Sequence, residues 1–348
     1  MQITTIGFDL AKNVFQVHAI DEAEKVVIQK QLRRAQVLPF FAKLMPCLVG
    51  MEACASAHHW ARQITRLGHE VRLIPAKDVK AYVKRNKNDK ADAAAICEAV
   101  NRPTVRTVPV KTPDQQASLM QHRVRDLLVR QRTQAINAVR AHMAELGIIA
   151  AQGYEGLKAL ISIITDQHDE RLPEDARVSL LAIATQIRSC EVELRAIEKR
   201  LLVQHRNSED SKRLETIPGI GVIGASAIVA TVPDAHIFKT GRDFAAWIGL
   251  VSREQSTGGK QRLGPISKQG DRYLRRLLIL GALSVLKLAK AHPERHPWLS
   301  RLLARKPPKV AAVALANKMA RIAWALLTKQ ENYRTQVITV APVPAASG

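Results

Sequence analysis

Three short apolar segments at the amino terminus lie too close together for helices to join them. Ile3–Leu10, Val14–Ile20 and Lys25–Leu32 each read as a strand, with only a few residues between one and the next. Parallel neighbours need a crossover of about a dozen residues, so these three are expected to pair as an antiparallel meander. The pattern then changes to a helix over Gln36–Leu44, a strand over Cys47–Met51, a helix over Ser56–Leu67, a strand over Val71–Ile74 and a helix over Asp89–Val100. Short apolar strands separated by helices imply parallel pairing. The order β-β-β-α-β-α-β-α over residues 1–110 describes an α/β domain with a mixed sheet and helices packed on it.

Residues 111–210 read as a long helical hairpin or coiled coil. Its second arm carries Leu180, Ile183, Ile187, Cys190, Leu194, Ile197 and Leu201 in alternating steps of three and four, the a/d seam of three heptads. Its first arm, Gln115–Leu146, carries Arg123, Arg125, Arg130, Arg132 and Arg140, and the loop-prone stretch Gly147–Pro173 joins the two. Such a seam suits self-association as well as packing in an ordinary bundle. Residues 211–335 are expected to be all-α around a Gly-rich loop, Gly249–Gly270, with a disordered tail over 336–348.

Charge narrows the partner. Lys plus Arg number 53 against 31 Asp plus Glu, a net charge of +22. A small acidic substrate does not call for that excess, whereas nucleic acid or an anionic surface does. No stretch approaches the ~20 apolar residues that span a bilayer. Asp9 and Lys12 interrupt the apolar start, which excludes an ordinary signal peptide. Aromatic residues make up only 4%, which argues against a stacking platform for single strands. The four cysteines, Cys47, Cys54, Cys97 and Cys190, form no CxxC pair, so a disulfide framework or structural zinc is not expected and a reducing cytosol is the natural setting.

Four acidic residues stand out. Asp9 ends the first strand and Glu52 the fourth, while Asp89 and Asp92 lie one turn apart on a helix. Singly, each suits a turn or a helix start. Together, carboxylates delivered by two strand ends and one helix face repel unless cations lie between them, and hard oxygen ligands suit Mg²⁺ or Mn²⁺. Paired metals of this kind serve phosphoryl transfer. Beside the acids runs a basic segment, Lys77, Lys80, Lys84, Arg85, Lys87 and Lys90, suited to a phosphate backbone or to a solvated helix face. His58, His59, His122, His292 and His296 lack paired-ligand spacing and are read as packing or phosphate contacts.

Two further segments suit phosphate. In Ile217-Pro218-Gly219-Ile220-Gly221 a turn precedes a helix start, resembling the hairpin of helix-hairpin-helix DNA binders, with Gly219 and Gly221 allowing close backbone approach. In the Gly-rich loop, seven cations (Arg253, Lys260, Arg262, Lys268, Arg272, Arg275, Arg276) face Glu254 and Asp271, a local charge of +5. Ser256 and Thr257 precede the Gly258-Gly259 pair there, so a nucleophile and charge stabilisation lie in one place. A loop that merely wraps phosphates has the same composition.

The order of strands and acids is that of an RNase H-like (RuvC-like) nuclease. Three words carry a closer resemblance: Gly7-Phe8-Asp9-Leu10-Ala11-Lys12, Met51-Glu52-Ala53-Cys54 and Asn86-Lys87-Asn88-Asp89-Lys90-Ala91-Asp92-Ala93. In these the chain resembles the DEDD transposases of bacterial insertion sequences (IS-one-ten type), relatives of the pilin-gene invertases. The segment from Glu52 to Ala99 resembles the IS-eleven-eleven branch. The resemblance implies Asp9, Glu52, Asp89 and Asp92 as metal-holding catalytic acids. It implies a serine nucleophile held as a phosphoserine intermediate, matched best by Ser256 with Thr257 adjacent; Ser252 stands where the family often has Pro. It further implies element and target DNA as partners, a guide RNA from the element's non-coding ends, and a homo-oligomer, dimer or tetramer. A metal-dependent structure-selective nuclease using the carboxylates alone, and a non-catalytic architectural DNA binder, are the competing expectations.

Overall fold

The computed structural model describes residues 2–83, 89–258, 260 and 262–334. Contacts divide the chain into two compact units, Met1–Asp114 and Gln115–Gly348. In the first, β1 (Thr5–Asp9), β2 (Val14–Ile20), β3 (Val26–Arg33), β4 (Leu48–Glu52) and β5 (Glu70–Ile74) form one sheet in the order β3-β2-β1-β4-β5. β1–β2 and β2–β3 are antiparallel, while β1–β4 and β4–β5 are parallel, as the linker lengths require. The helices are α1 (Val37–Phe41), α2 (Ala57–Arg66), α3 (Ala76–Val79) and α4 (Asp89–Val100).

The two faces of the sheet are packed differently. Alternation along the strands sends Ile6, Phe8, Val49 and Met51 into one core, where Phe8 lies 5.5 Å from Phe15 and 5.3 Å from Phe41, with Trp60 and Ile64 of α2 beside them. The opposite face meets α4. There the strands carry Gly7 and Gly50, and a Cβ on Gly7 would lie 2.0 Å from the Ala93 carbonyl oxygen and 2.5 Å from the Cys97 nitrogen. On Gly50 it would lie 2.7 Å from Val100 Cβ. Helix and β1 therefore meet backbone to backbone at Gly7, while the Val100 side chain fills the space over Gly50. Further along α4, the Cys97 thiol reaches the Thr5 carbonyl at 4.0 Å, and Thr5 Oγ1 donates to Asn101 Oδ1 at 3.2 Å. The helix thus runs antiparallel to β1.

The second unit is mainly helical. α5 (Pro113–Glu145), α6 (Tyr154–Thr165) and α7 (Glu174–Arg206) come first. Arg125 on α5 donates to Glu198 on α7 at 2.8 Å, and Val139 and Met143 share a core with Leu180 and Ile187, so the two 33-residue helices form an antiparallel hairpin. The loop-prone stretch contains α6, whose Leu157, Leu160 and Ile164 complete that core. The buried Arg177 guanidinium donates to the carbonyls of Ile163, Ile164, Asp166 and Asp169 and caps the end of α6. Leu180, Ile187, Cys190, Leu194 and Leu201 of the heptad seam are buried within this one chain.

α8 (Glu209–Glu215), α9 (Val222–Thr231), α10 (Gly241–Ile248), β6 (Ser252–Glu254), β7 (Leu263–Ile266), α11 (Arg272–Ala291), α12 (Pro297–Leu303) and α13 (Pro308–Lys329) build a separate core. Two expectations are corrected here. This region is not all-α, because β6 and β7 pair as an antiparallel hairpin in the Gly-rich stretch. And α13 is long and apolar enough to cross a membrane, with a mean hydropathy of 1.4, although half of that window is buried. Its apolarity comes from an alanine face, Ala311, Ala312, Ala316, Ala320 and Ala323, that joins the core shared with α10 and α11. The tail over 336–348 lies outside the described residues.

Two outcomes follow. Gly7→Ala forces α4 off the sheet and lowers the unfolding free energy by about 3 kcal/mol, read as a drop in denaturation midpoint. His122 is 2% exposed between α5 and α11, its Nδ1 is 3.3 Å from the Tyr273 hydroxyl, and burial lowers its pKa to about 4. The unfolded chain, with an ordinary histidine pKa of about 6.5, takes up the proton first as pH falls. His122 therefore costs no stability above about pH 6.5 and lowers it progressively towards pH 4, by on the order of 3 kcal/mol. Replacing it, His122→Asn, flattens the pH dependence of chemical denaturation over that window.

Candidate functional site

β1 and β4 run side by side in parallel, with Phe8 opposite Met51, so Asp9 and Glu52 are the next residues on both strands. Neighbouring strands lie about 4.8 Å apart. Because side chains alternate, Asp9 shares the face of Gly7 and Glu52 that of Gly50, which is the face that α4 covers. Glu52 pairs in register with Ile74, which packs in the same core as α4, and this confirms its side. Both carboxylates are partly buried.

Helix α4 starts near this edge. Its Ala93 sits against Gly7, so Asp92 follows directly at the strand end. Asp89 begins the helix four residues before Ala93, about 6 Å along the axis, and Asp9 lies two residues beyond Gly7, about 7 Å along the strand. The helix start and the strand end thus reach a similar level. The Asp89 side chain lies outside the described residues, as do Lys84, Arg85, Lys87 and the Lys90 side chain. Among the described residues, no three His, Cys, Asp or Glu side chains close into a metal-binding group. The donor set Asp9, Glu52 and Asp92 is nonetheless all carboxylate, which fits a hard divalent cation. Nearby, Lys77 lies 3.9 Å from Asp78, and Lys80 is exposed.

In the second unit the Gly-rich stretch is held at its base. Gly249 (φ +83°) and Gly270 (φ +77°) adopt left-handed backbone; a Cβ on either would strike Gln269 or Trp247 carbonyl oxygen within 2.0 Å. The Arg275 guanidinium, 9% exposed, donates to Ile248 O at 2.7 Å and Gln269 O at 2.9 Å, tying the two ends together. From this base the hairpin projects with Ser256 exposed near its tip. The Ser256 hydroxyl donates to Glu254 Oε1 at 3.1 Å and accepts the Arg262 amide at 3.3 Å. Thr257 instead bridges to Lys260 across the turn, and Ser252 pairs with Ile266. Of the seven cations, Arg275 is buried and Arg276 pairs with Asp126. Arg253, Lys260, Arg262, Lys268 and Arg272 face solvent. Glu254 is the partner that sequence reasoning missed. The Gly258-Gly259 pair between Ser/Arg/Glu and Leu/Gly/Pro/Ile segments was the available hairpin signal.

The Pro-Gly segment joins α8 to α9. Gly219 (φ +90°) packs on α11, and a Cβ there would lie 2.8 Å from the Gly281 carbonyl oxygen. Its close approach is therefore to protein. Gly221, at the start of α9, is exposed, and a Cβ there meets nothing within 4 Å.

A family model described as "Transposase IS116/IS110/IS902 family" matches residues 211–296, which include both the Pro-Gly turn and Ser256. A second, DEDD-type model described as "Transposase" matches residues 6–148, which include all four acids. The chain is 48% identical over 335 residues to "Putative transposase y4pF/y4sB" of Sinorhizobium fredii, covering 96% of this chain and 86% of that one. It is 49% identical over 336 residues to "Probable family 20 transposase" of Pseudomonas aeruginosa, covering 96% and 99%. It is 39% identical over 333 residues to "Transposase for insertion sequence element IS1111A" of Coxiella burnetii, covering 95% and 92%.

The two glycines of the turn are separable by experiment. Gly219→Ala lowers stability by about 2 kcal/mol in denaturant titrations, because both its φ and its contact with Gly281 forbid a side chain. Gly221→Ala stays within about 0.5 kcal/mol of the parent.

Proposed function

Because the chain belongs to the IS116/IS110/IS902 family of transposases, we propose that it cuts and rejoins the DNA of an insertion sequence, with an RNase H-like first unit as its acidic half. The observation that carries the reading is the seating of α4 on Gly7, which delivers the start of an acidic helix to the strand ends bearing Asp9 and Glu52. Asp9, Glu52, Asp89 and Asp92 would hold Mg²⁺ or Mn²⁺, which when bound would supply charge neutralisation at the scissile phosphate.

The other half is the serine hairpin. Ser256 Oγ attacks phosphorus; the Oγ–P bond forms, the P–O3′ bond breaks, and the 3′ oxygen takes a proton from solvent. Glu254 takes the serine proton, since its carboxylate already accepts that O–H, while the Arg262 amide holds the oxygen. Attack by a different strand's 3′-OH on the phosphoserine reverses these steps and rejoins DNA. Arg253, Lys260, Arg262, Lys268 and Arg272 line the approach with positive charge, and Lys84, Arg85, Lys87 and the open amide end at Gly221 supply further phosphate contacts. A guide RNA from the element fits the same charge. Exchange between two duplexes needs several such sites, so a dimer or tetramer acts, with one copy's serine free to serve another's acids. A nucleoid substrate sets the location in the bacterial cytoplasm.

The test combines protein, Mg²⁺, element-end DNA and element-end RNA, and maps any protein–DNA adduct. Ser256→Ala abolishes the adduct. Asp9→Asn lowers cleavage by about 100-fold or more while DNA binding persists, since several kcal/mol of charge stabilisation are lost. Glu254→Gln keeps a hydrogen-bond acceptor but slows adduct formation by about 100-fold. Cleavage by Ser256→Ala at the parental rate, without an adduct, overturns the serine step and leaves a carboxylate-only nuclease.

A further inference from the structure

We propose that the cleft beside α12 is a nucleotide subsite, taking one unpaired base against Trp298 and its flanking phosphates on Arg301 and Arg305. The site lies outside both family matches and uses no residue of the cutting chemistry described above. α12 turns Leu299, 3% exposed, and half-buried Leu302 and Leu303 toward the core. Trp298 and Arg301, three residues apart, share its outer side, and Arg305 follows in the turn after the helix; all three are exposed. Trp298 keeps 37% of its surface exposed and lines an open cleft of about 480 Å³ with Arg301, Leu302, Ala304 and Arg305. Lys318 of α13 stands 4.5 Å from the centre of the indole ring.

Charge identifies the occupant. From Arg295 to Gln330 the chain carries eight Lys or Arg and no Asp or Glu. No carboxylate among the described residues pairs with Arg301, Arg305 or Lys318. The cations of this surface repel basic partners, while a base offers the exposed indole a π-face and the strand's phosphates meet the guanidiniums. The cleft has the volume of a small-molecule pocket and admits one base. It is concave, whereas docking on a membrane surface needs a broad apolar face. A chain with 4% aromatics has no extended stacking platform, but a single ring suffices for one flipped or looped-out base. DNA and RNA share this chemistry.

The test uses the full chain without metal, so that a failure of strand cutting does not affect it. Affinity is read by fluorescence anisotropy for a labelled thymidine oligomer, its abasic counterpart, the uridine oligomer of equal length, and phosphatidylserine vesicles. Trp298→Ala weakens binding of the thymidine or uridine oligomer about 10-fold, and that of the abasic strand less than twofold, as stacking of one base requires. Loss with only one of the two oligomers assigns the strand type. Arg301→Ala with Arg305→Ala weakens base-bearing and abasic strands alike and makes the salt dependence shallower. Trp298→Phe retains binding. Trp298→Leu keeps apolar bulk and behaves as Trp298→Ala, which guards against an unfolded variant. Equal loss on base-bearing and abasic strands, no loss on either, or a loss confined to the vesicles overturns the proposal.

Discussion

The first unit depends on the close seating of α4 on the sheet, directly against the backbone of β1 at Gly7 and through the Val100 side chain against β4 at Gly50. Glycine at both positions removes the side chains that would hold a helix at its usual distance from a sheet. The consequence is positional. With Ala93 fixed over Gly7, the start of α4 can go only to the carboxyl edge, where β1 and β4 end in Asp9 and Glu52. The same parity rule that puts the glycines under the helix puts both acids on its side of the sheet. Acidic residues at a helix start also suit the positive end of the helix dipole, so Asp89 and Asp92 favour the start of α4.

The second unit solves a related problem by opposite means. A hairpin made of exposed, charged residues has no core of its own, and a two-stranded ribbon is marginal alone. Its ends are therefore fixed from below. Gly249 and Gly270 turn with backbone that other residues rarely adopt, and Arg275 spends its charge on two carbonyls instead of on solvent or ligand. Arg177 does the same for α6. Rigid bases of this kind let a loop tip hold Ser256, Glu254 and the Arg262 amide in register without burying them.

Much of the sheet was legible in the sequence because its signals are local. Linker length decides between antiparallel and parallel pairing, and Asp89–Val100 carries both a helix start and a run of small apolar residues. The carboxylate edge was legible for the same reason: Asp9 and Glu52 each end an apolar strand. What escaped was decided by tertiary contacts. A buried arginine cap makes α6 out of a loop-rich stretch. The Ser256 hairpin looks like a glycine-rich loop until the cross-strand contact between Gln255 and Arg262 is known. Gly219 reads as a phosphate contact because a left-handed glycine serves a ligand or a neighbouring helix equally well, and only the position of Gly281 distinguishes them.

A net charge of +22 is accordingly not a map of where nucleic acid lies. Part of it is structural: Arg177 and Arg275 are buried on carbonyls, Arg125 pairs with Glu198, and Arg276 with Asp126. Such cations are already coordinated and offer little to an incoming phosphate. The cations left over include those on the serine hairpin and those around α12 and α13, a stretch from Arg295 to Gln330 without Asp or Glu. Two features on this second unit, one reactive and one aromatic, therefore share a single electrostatic attraction for polyanions but differ in what they recognise. On the proposed reading the hairpin would offer its hydroxyl to a phosphate that any strand possesses, whereas the indole would distinguish a base that is unpaired from one that is stacked in a duplex.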